Sequence, residues 1–327
     1  MSIKTYREAT FDAMKEEMLR DPSIYAIAED IRGNGGAHGR YTGLGDAIGD
    51  WSRVIDAPIS EAAIVGSAVG AAMSGMRPIV DLRFSNCVAC AMDEIVNQAA
   101  KSRYMFGGQG KVSMVIRVPD GILKMQGAHH TDCIEAWFTH VPGLQVVVPS
   151  SPAEGKGLLK TAIRNDNPVL FFEHKTIMEV KGEVPDEEYT IPFGQARIAR
   201  PGKDVTVVVY GIMASRALIA AEQLAAEGVD LEVIDLRTLS PWDKDTVLAS
   251  VKKTGRVVAA HEAVRQSGFG AEIAAVIAEE AFADLKAPVV RVGGPFVPVP
   301  VAPNLEDLCR VLPEDIITGV KKVLAYR

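Results

Sequence analysis

The chain has 327 residues, 48% of them hydrophobic and 24% charged, with a formal net charge of −7. That composition excludes a disordered chain and offers no basic cluster for nucleic acid or an anionic membrane surface. No apolar run is a charge-free membrane span, and four cysteines are too few for a disulfide framework.

The opening residues run straight into a helical pattern without a signal or transit peptide, so a cytoplasmic protein is expected. Thr5 and Glu8 have capping-box spacing, and their helix should run to about Arg20. Ile24 to Ala28 reads as a short strand ending on Glu29 and Asp30. Residues 32–51 carry seven glycines and read equally as a connector or as an active-site loop. Arg53 to Ile55 is the next strand, and a helix begins at Glu61. Gly66, Ser67, Ala68, Gly70, Ala71 and Ala72 make that helix almost wholly small, so another backbone should pack closely on it. A carboxylate heading such a buried helix is costly unless it is protonated or hydrogen-bonded. Perturbed carboxylates gather at functional sites; the plainer alternative is a first-turn Glu favoured by the helix dipole.

Strands are expected at 78–82, 112–118, 145–148 and 169–173, with helices at 88–104, 134–140 and 153–164. This alternation implies a mostly parallel sheet covered on both faces. Residues 175–203 break the rhythm, and the charged, proline-bearing stretch from Lys181 to Glu188 reads as a linker. A second alternating series follows, with strands at 205–210, 231–236, 257–260 and 289–292 and helices at 214–227, 244–253 and 271–282. Four prolines between 295 and 303 mark an extended segment before the last helix. The expected fold is α/β with two doubly wound domains, residues 1–185 and 186–327. Cys87-Val88-Ala89-Cys90 is a lone C-x-x-C without a second pair, and packing accounts for it better than redox or metal chemistry. The chain has neither a P-loop nor a G-x-G-x-x-G motif after a strand.

Several stretches taken together carry a resemblance. They are Thr5-Tyr6-Arg7-Glu8-Ala9, Pro58-Ile59-Ser60-Glu61 and the run from Val69 to Pro78. Asn97-Gln98-Ala99-Ala100-Lys101, Arg103 to Gly108, Glu135 to Leu144 and Gly268-Phe269-Gly270-Ala271-Glu272 complete the set. In these the chain resembles, over nearly its whole length, the beta subunit of thiamine-diphosphate-dependent 2-oxoacid and acetoin dehydrogenases. These are pyruvate dehydrogenase-like relatives of transketolase. The resemblance implies a pyrimidine-binding first domain with a mostly parallel sheet and a smaller transketolase C-terminal-like second domain.

It also implies roles. Glu61 would hydrogen-bond N1′ of the cofactor's aminopyrimidine and so support proton removal from the thiazolium carbon. Phe84 would form the apolar wall of that ring, and Glu29 and Cys87 would join Glu61 and Phe84 as cofactor contacts. Cys87 stands where relatives often carry Phe. His130, five residues before Glu135, would stabilise charge on the substrate oxygen or handle protons during acyl transfer. His38 and His129 would line a substrate pocket more polar than in branched-chain relatives. Some relatives hold K⁺ with backbone carbonyls, here those of Met114, Ala162, Ile163, Asn165 and Asn167. The family's Gly-Asp-Gly segment for diphosphate and Mg²⁺ does not occur here, so an alpha subunit should bring that half in an α₂β₂ heterotetramer. The implied reaction cleaves a 2-oxoacid or acetoin and passes the acyl group to a lipoyl-bearing acyltransferase core. Arg103 to Gly108 leans toward the acetoin branch. Two alternatives stay open: a split transketolase-like ketol transferase acting on sugar phosphates, and a non-catalytic assembly subunit.

Overall fold

The computed structural model describes residues 1–326, which divide into two compact units. One comprises residues 1–121 and 129–193, the other residues 122–128 and 194 onward. In the first unit β1 (Ser2–Thr5) enters α1 (Tyr6–Arg20) through the expected capping box. The Glu8 N–H donates to Thr5 Oγ1 (3.2 Å) and the Thr5 N–H to Glu8 Oε2 (2.8 Å). Then come β2 (Ile24–Glu29), α2 (Leu44–Ile48), β3 (Val54–Ala57), α3 (Glu61–Met73) and β4 (Arg77–Asp81). The unit continues with α4 (Ala100–Met105), β5 (Val115–Asp120), α5 (Glu135–Thr139), β6 (Gln145–Val147), α6 (Pro152–Arg164), β7 (Val169–His174) and β8 (Lys181–Val184).

Six of these strands lie side by side in the order β6-β7-β5-β4-β2-β3, every pair parallel. Register sets Ala28 beside Asp81 and Asp120 beside His174, so the carboxyl ends of β2, β4, β5 and β7 share one edge. Strand order reverses between β2 and β4, because β2 continues to β3 on one side and β4 to β5 on the other. A crevice at such a reversal is where open parallel sheets receive ligands. Ile24, Ala26, Ala28, Val169 and Phe171 alternate along their strands and pack with Met14 and Met18 of α1 and Leu158, Leu159 and Ile163 of α6. On the opposite face, Phe172 meets Phe138 of α5 with ring centroids 5.9 Å apart.

Three local expectations change. The charged stretch read as a linker forms β8, which pairs antiparallel with β1 from Ser2↔Val184 to Thr5↔Lys181. A strand whose partner lies at the other end of the unit leaves no local pattern to read. The single helix expected over 88–104 is instead a 3-10 stretch, Ser85–Ala91, a π stretch, Glu94–Ala99, and α4. Ser85 Oγ donates to the Asp132 carbonyl (2.6 Å) and Asn86 Nδ2 to Asp132 Oδ2 (2.7 Å), bonds to a distant loop that pull the segment's start off a regular helix. The glycine-rich segment is ordered: the N–H groups of Asn34 and Gly36 both donate to the Asp30 carbonyl at 3.0 Å. At Gly35, φ is +70° and a Cβ would lie 2.2 Å from Thr42 Oγ1, so only glycine fits.

The second unit contains β9 (Arg197–Arg200), β10 (Val205–Val209), α7 (Met213–Ala226), β11 (Leu231–Asp235), β12 (Thr238–Ser240) and α8 (Lys244–Thr254). It ends with β13 (Val257–Val264), α9 (Gly270–Glu280), β14 (Val290–Gly294), α10 (Pro303–Glu306) and α11 (Pro313–Leu324). Its sheet runs β14-β13-β10-β11-β9, parallel except that β9 opposes β11. Val205, Val207 and Val209 pack there against Ala217, Ala221 and Leu224 of α7 and Ile316 and Val320 of α11. Residues 122–128 belong to this unit: the Ile122 N–H donates to Glu262 (3.2 Å) and the Met125 N–H to Glu306 (2.7 Å). Among the described residues no helix is long and apolar enough to cross a membrane.

Candidate active site

Glu61 is the first residue of α3, following the N-cap Ser60, and is half-buried. The enclosed helix expected around it is corrected. Ile64, Val65, Ala68, Val69 and Ala72 are buried, but Ala63, Ser67 and Gly70 are exposed, and a Cβ on Gly70 would meet nothing within 4 Å. The smallest residues recur at helical spacing along one face, and that face is left exposed by the described residues.

The 3-10 turn after Phe84 packs on α3 and brings Cys87 to Glu61. The Cys87 N–H donates to the Phe84 carbonyl (3.1 Å), and the Cys87 thiol lies within electrostatic reach of the Glu61 carboxylate. Burial, and then the facing Glu61 charge, push that thiol up to about 11. The Phe84 ring stands edge-on to the His130 imidazole, with centroids 4.3 Å apart. Lys175 donates to the His130 carbonyl and holds its ammonium 5.5 Å from the Phe84 centroid. The two bonds from Ser85 and Asn86 to Asp132 bring the His130 loop against this turn.

His38 is half-buried in the glycine-rich segment at φ +56°. Burial first, then the charges of Arg40, Lys175 and Arg83, push its imidazole down to about 4, so it is neutral at pH 7. Glu29 ends β2 with its carboxylate 3.7 Å from Arg83 Nη1, and Arg83 also meets Asp30 at 3.2 Å. His129 is exposed. The turn after β4 thus sets Phe84 against His130 and Cys87 within electrostatic reach of Glu61, at the carboxyl end of the sheet. Arg83 connects this turn to Glu29, and Lys175 lies between His130 and the His38 segment.

Of the five carbonyls considered for a monovalent cation, those of Met114, Ala162, Ile163 and Asn165 accept hydrogen bonds from the chain itself. That of Met114 accepts from the Val169 N–H (3.0 Å) and that of Ala162 from the Asn165 N–H (3.2 Å). Arg77 Nη1 donates to the carbonyls of Ile163 (3.1 Å) and Asn165 (3.0 Å), and Arg77 Nη2 to Asp166 (2.6 Å). The amide of Asn167 donates to Asn165 Oδ1 (3.2 Å). A cation belonging to the chain itself therefore already faces two of the five carbonyls.

At the same strand ends lies a group that sequence reasoning passed over. Arg40, Asp81, Arg117 and Glu173 are all fully buried. Arg117 grips Glu173 with two bonds, Nε at 2.9 Å and Nη2 at 2.7 Å, while Arg40 donates to both Glu173 and Asp81. Burial pushes Asp81 up to about 6 against the pull of Arg40 and Arg117. Burial also raises Glu173, but Arg117 and Arg40 outweigh it and hold that carboxyl below its ordinary value. The signal was present: Arg117 and Glu173 interrupt the apolar runs Val-Ile-Arg-Val and Leu-Phe-Phe-Glu, and a charge inside a buried strand demands a partner.

Residues 3–180 match the family described as the transketolase pyrimidine binding domain, and residues 194–316 the transketolase C-terminal domain. The chain is 46% identical to the acetoin:2,6-dichlorophenolindophenol oxidoreductase subunit beta of Cupriavidus necator, covering 99% of this chain and 97% of that protein. It is 46% identical to the pyruvate dehydrogenase E1 component subunit beta of Rickettsia felis, with 98% of each chain covered. To the 2-oxoisovalerate dehydrogenase subunit beta of Bacillus subtilis it is 39% identical over all of both chains. Among solved structures, a split-gene transketolase in an inactive beta4 tetramer superposes with a TM-score of 0.81 at 28% identity, covering 98% of each chain.

Proposed function

Because this chain belongs to the beta subunits of thiamine-diphosphate-dependent acetoin and 2-oxoacid dehydrogenases, we propose that Glu61 is its cofactor-activating residue and that the β2/β4 crevice receives the aminopyrimidine. The chain is one subunit of a heteromeric oxidoreductase whose other subunit is an alpha chain. The carrying observation is the turn after β4, which sets Phe84 against His130 and Cys87 within electrostatic reach of Glu61. The donor set fits the pyrimidine end of the cofactor, with a half-buried carboxylate at a helix start beside an aromatic ring. It does not fit the diphosphate end, because the sequence has no Gly-Asp-Gly segment. The alpha subunit therefore brings the diphosphate site and its Mg²⁺, in an α₂β₂ heterotetramer.

When bound, thiamine diphosphate supplies the electron sink for breaking a bond beside a carbonyl. Glu61 would hold the aminopyrimidine by a hydrogen bond, and Phe84 would supply an apolar wall for the ring. The His130 imidazole, fixed by Phe84 and the Lys175 bond to its carbonyl, moves a proton at the substrate oxygen. Neutral His38 gives the pocket a polar group without charge repulsion toward Lys175, exposed His129 adds a further polar group, and Glu29 anchors Arg83 at the crevice rim. The substrate is acetoin or a short 2-oxoacid, the acyl group passing to a lipoyl-bearing acyltransferase core. A K⁺ ion at the Met114, Ala162, Ile163, Asn165 and Asn167 carbonyls would share two of them with Arg77; a higher Tm in potassium than in sodium is its test. Four free cysteines support a reducing, cytoplasmic setting.

The test is co-expression with the alpha subunit and dye reduction with acetoin, pyruvate or branched 2-oxoacids in the presence of thiamine diphosphate and Mg²⁺. Turnover with one of these, lowered by Glu61→Gln on the order of 10²–10⁴-fold, is the expected result. Activity confined to a ketose phosphate with an aldose-phosphate acceptor would move the chain to the split transketolase reading, which its likeness to that solved structure favours. An inert Glu61→Gln phenotype would leave only an assembly role.

A further inference from the structure

We propose that His38 is the specificity-determining residue of the crevice: it is held where its imidazole meets a substrate hydroxyl, and so selects a hydroxyketone over a 2-oxoacid. The proposal deepens the reading given above and rests on the strand-end crevice being the substrate site. Hydrogen bonds place the residue there. The Gly36 N–H donates at 3.0 Å to the carbonyl of Asp30, just past β2, and a Cβ on Gly36 would lie 3.4 Å from Asp81 Oδ2 at the end of β4. Fully buried Arg40 donates to Asp81 of β4 and Glu173 of β7, and its Nε to the Ala37 carbonyl at 3.2 Å. The segment is thus tied to strand ends on both sides of His38.

His38 has φ +56° and ψ 25°, in the left-handed region that glycine enters freely and a larger side chain enters at a cost. Such a conformation persists only where its surroundings hold it, and residues held this way gather at functional sites. The ring's Nε2 is buried and has no hydrogen-bond partner among the described residues. A buried polar atom of this kind calls for a partner from outside the chain. Burial keeps the ring neutral at pH 7, so one ring nitrogen donates and the other accepts. A hydroxyl both donates and accepts, and so satisfies Nε2 in either tautomer, whereas a carboxylate only accepts. The cations beside it are already committed: Arg83 to Asp30 at 3.2 Å and Glu29 at 3.7 Å, Lys175 to the His130 carbonyl, and Arg40 to Asp81 and Glu173. That leaves the neutral imidazole to read the substrate.

Dye reduction by the co-expressed heteromer, with thiamine diphosphate and Mg²⁺, compares acetoin and pyruvate as probes. His38→Gly, which suits the backbone angle, should lower kcat/KM for acetoin about tenfold and that for pyruvate by less than about twofold. His38→Asn, which tolerates the same backbone and keeps an amide donor and acceptor, should recover most of the acetoin loss. Both variants should melt within about 3 °C of wild type. Equal losses for the two substrates, or no loss for either, overturn the proposal. So does a larger Tm drop in His38→Gly, because packing would then account for the kinetics. A second arm needs neither a variant nor turnover. Modification of His38 by diethylpyrocarbonate, followed by mass spectrometry in the wild-type heteromer, should be slowed by acetoin and not by pyruvate. Equal protection by the two, or none, also overturns it. The two readings fail separately. Protection by acetoin without any dye reduction would strike the dehydrogenase reading alone, and dye reduction with an unmoved acetoin-to-pyruvate ratio would strike the His38 proposal alone.

Discussion

Replacing Glu173 by glutamine removes one of the two carboxylates that neutralise a fully buried pair of guanidiniums. In the native chain Glu173 accepts both bonds from Arg117 (2.9 and 2.7 Å) and a third from Arg40. Glutamine offers a single acceptor oxygen, and its NH₂ would face a guanidinium as a second donor. Asp81 is left as the only counter-charge for Arg40 and Arg117. Stranding a buried charge in this way costs about 3–5 kcal/mol. With about 2.1 cal/mol/K per residue over a unit of roughly 190 residues, a loss near 4 kcal/mol corresponds to a Tm drop of roughly 10 °C. The pH dependence carries a second signature. Asp81, raised to about 6 partly by the Glu173 charge, binds its proton more tightly folded than unfolded. Its contribution therefore grows as pH falls from 7.5 to 5, by about 1 kcal/mol at pH 5. Without the Glu173 charge Asp81 titrates lower, and that gain should shrink, burial still raising the carboxyl. Circular dichroism melts of wild type and Glu173→Gln at pH 7.5 and 5.0 measure both effects. A Tm drop under about 2 °C at pH 7.5 would refute the view that these charges are mutually required.

Three further outcomes are expected. His261 is fully buried in the second unit, with Nδ1 3.0 Å from the Ala263 carbonyl, and burial pushes it down to about 4. It folds neutral, so its contribution is intact above pH 6.5 and fades as pH falls toward 4, by about 2 kcal/mol at pH 5. Denaturant titrations of His261→Gln should lose that component of the acid sensitivity, and an identical pH profile would contradict the assignment. At Gly143 φ is +100° and a Cβ would lie 2.1 Å from the Ala100 carbonyl oxygen, so Gly143→Ala should lose roughly 2–3 kcal/mol in urea unfolding. Lys175→Met removes the donor to the His130 carbonyl and should lower kcat/KM for dye reduction on the order of tenfold; unchanged kinetics would mean that Lys175 does not hold His130.

Much of the fold was legible because its signals are short-ranged. The Thr5–Glu8 capping box, most of the strand–helix alternation and the start of α3 at Glu61 all depend on residues within a turn or two of one another, and the structure keeps them with ends shifted by a few residues, the broken 88–104 segment apart. The small face of α3 was legible too, but not what lies against it, since spacing shows that a face exists and not what covers it. What depends on pairing across the unit was hidden. Lys181–Val184 carries no apolar alternation, and only β1 makes it a strand. Cys87 reads as a packing cysteine until the turn after β4 folds onto α3 and brings it within electrostatic reach of Glu61. Arg40, Asp81, Arg117 and Glu173 come from a loop and three strands separated along the chain. Sequence by itself determined most of the elements and the one carboxylate at the head of a small-residue helix. Tertiary structure alone decided its neighbours, because periodicity encodes which face of an element is buried and nothing in it encodes the partner buried beside it.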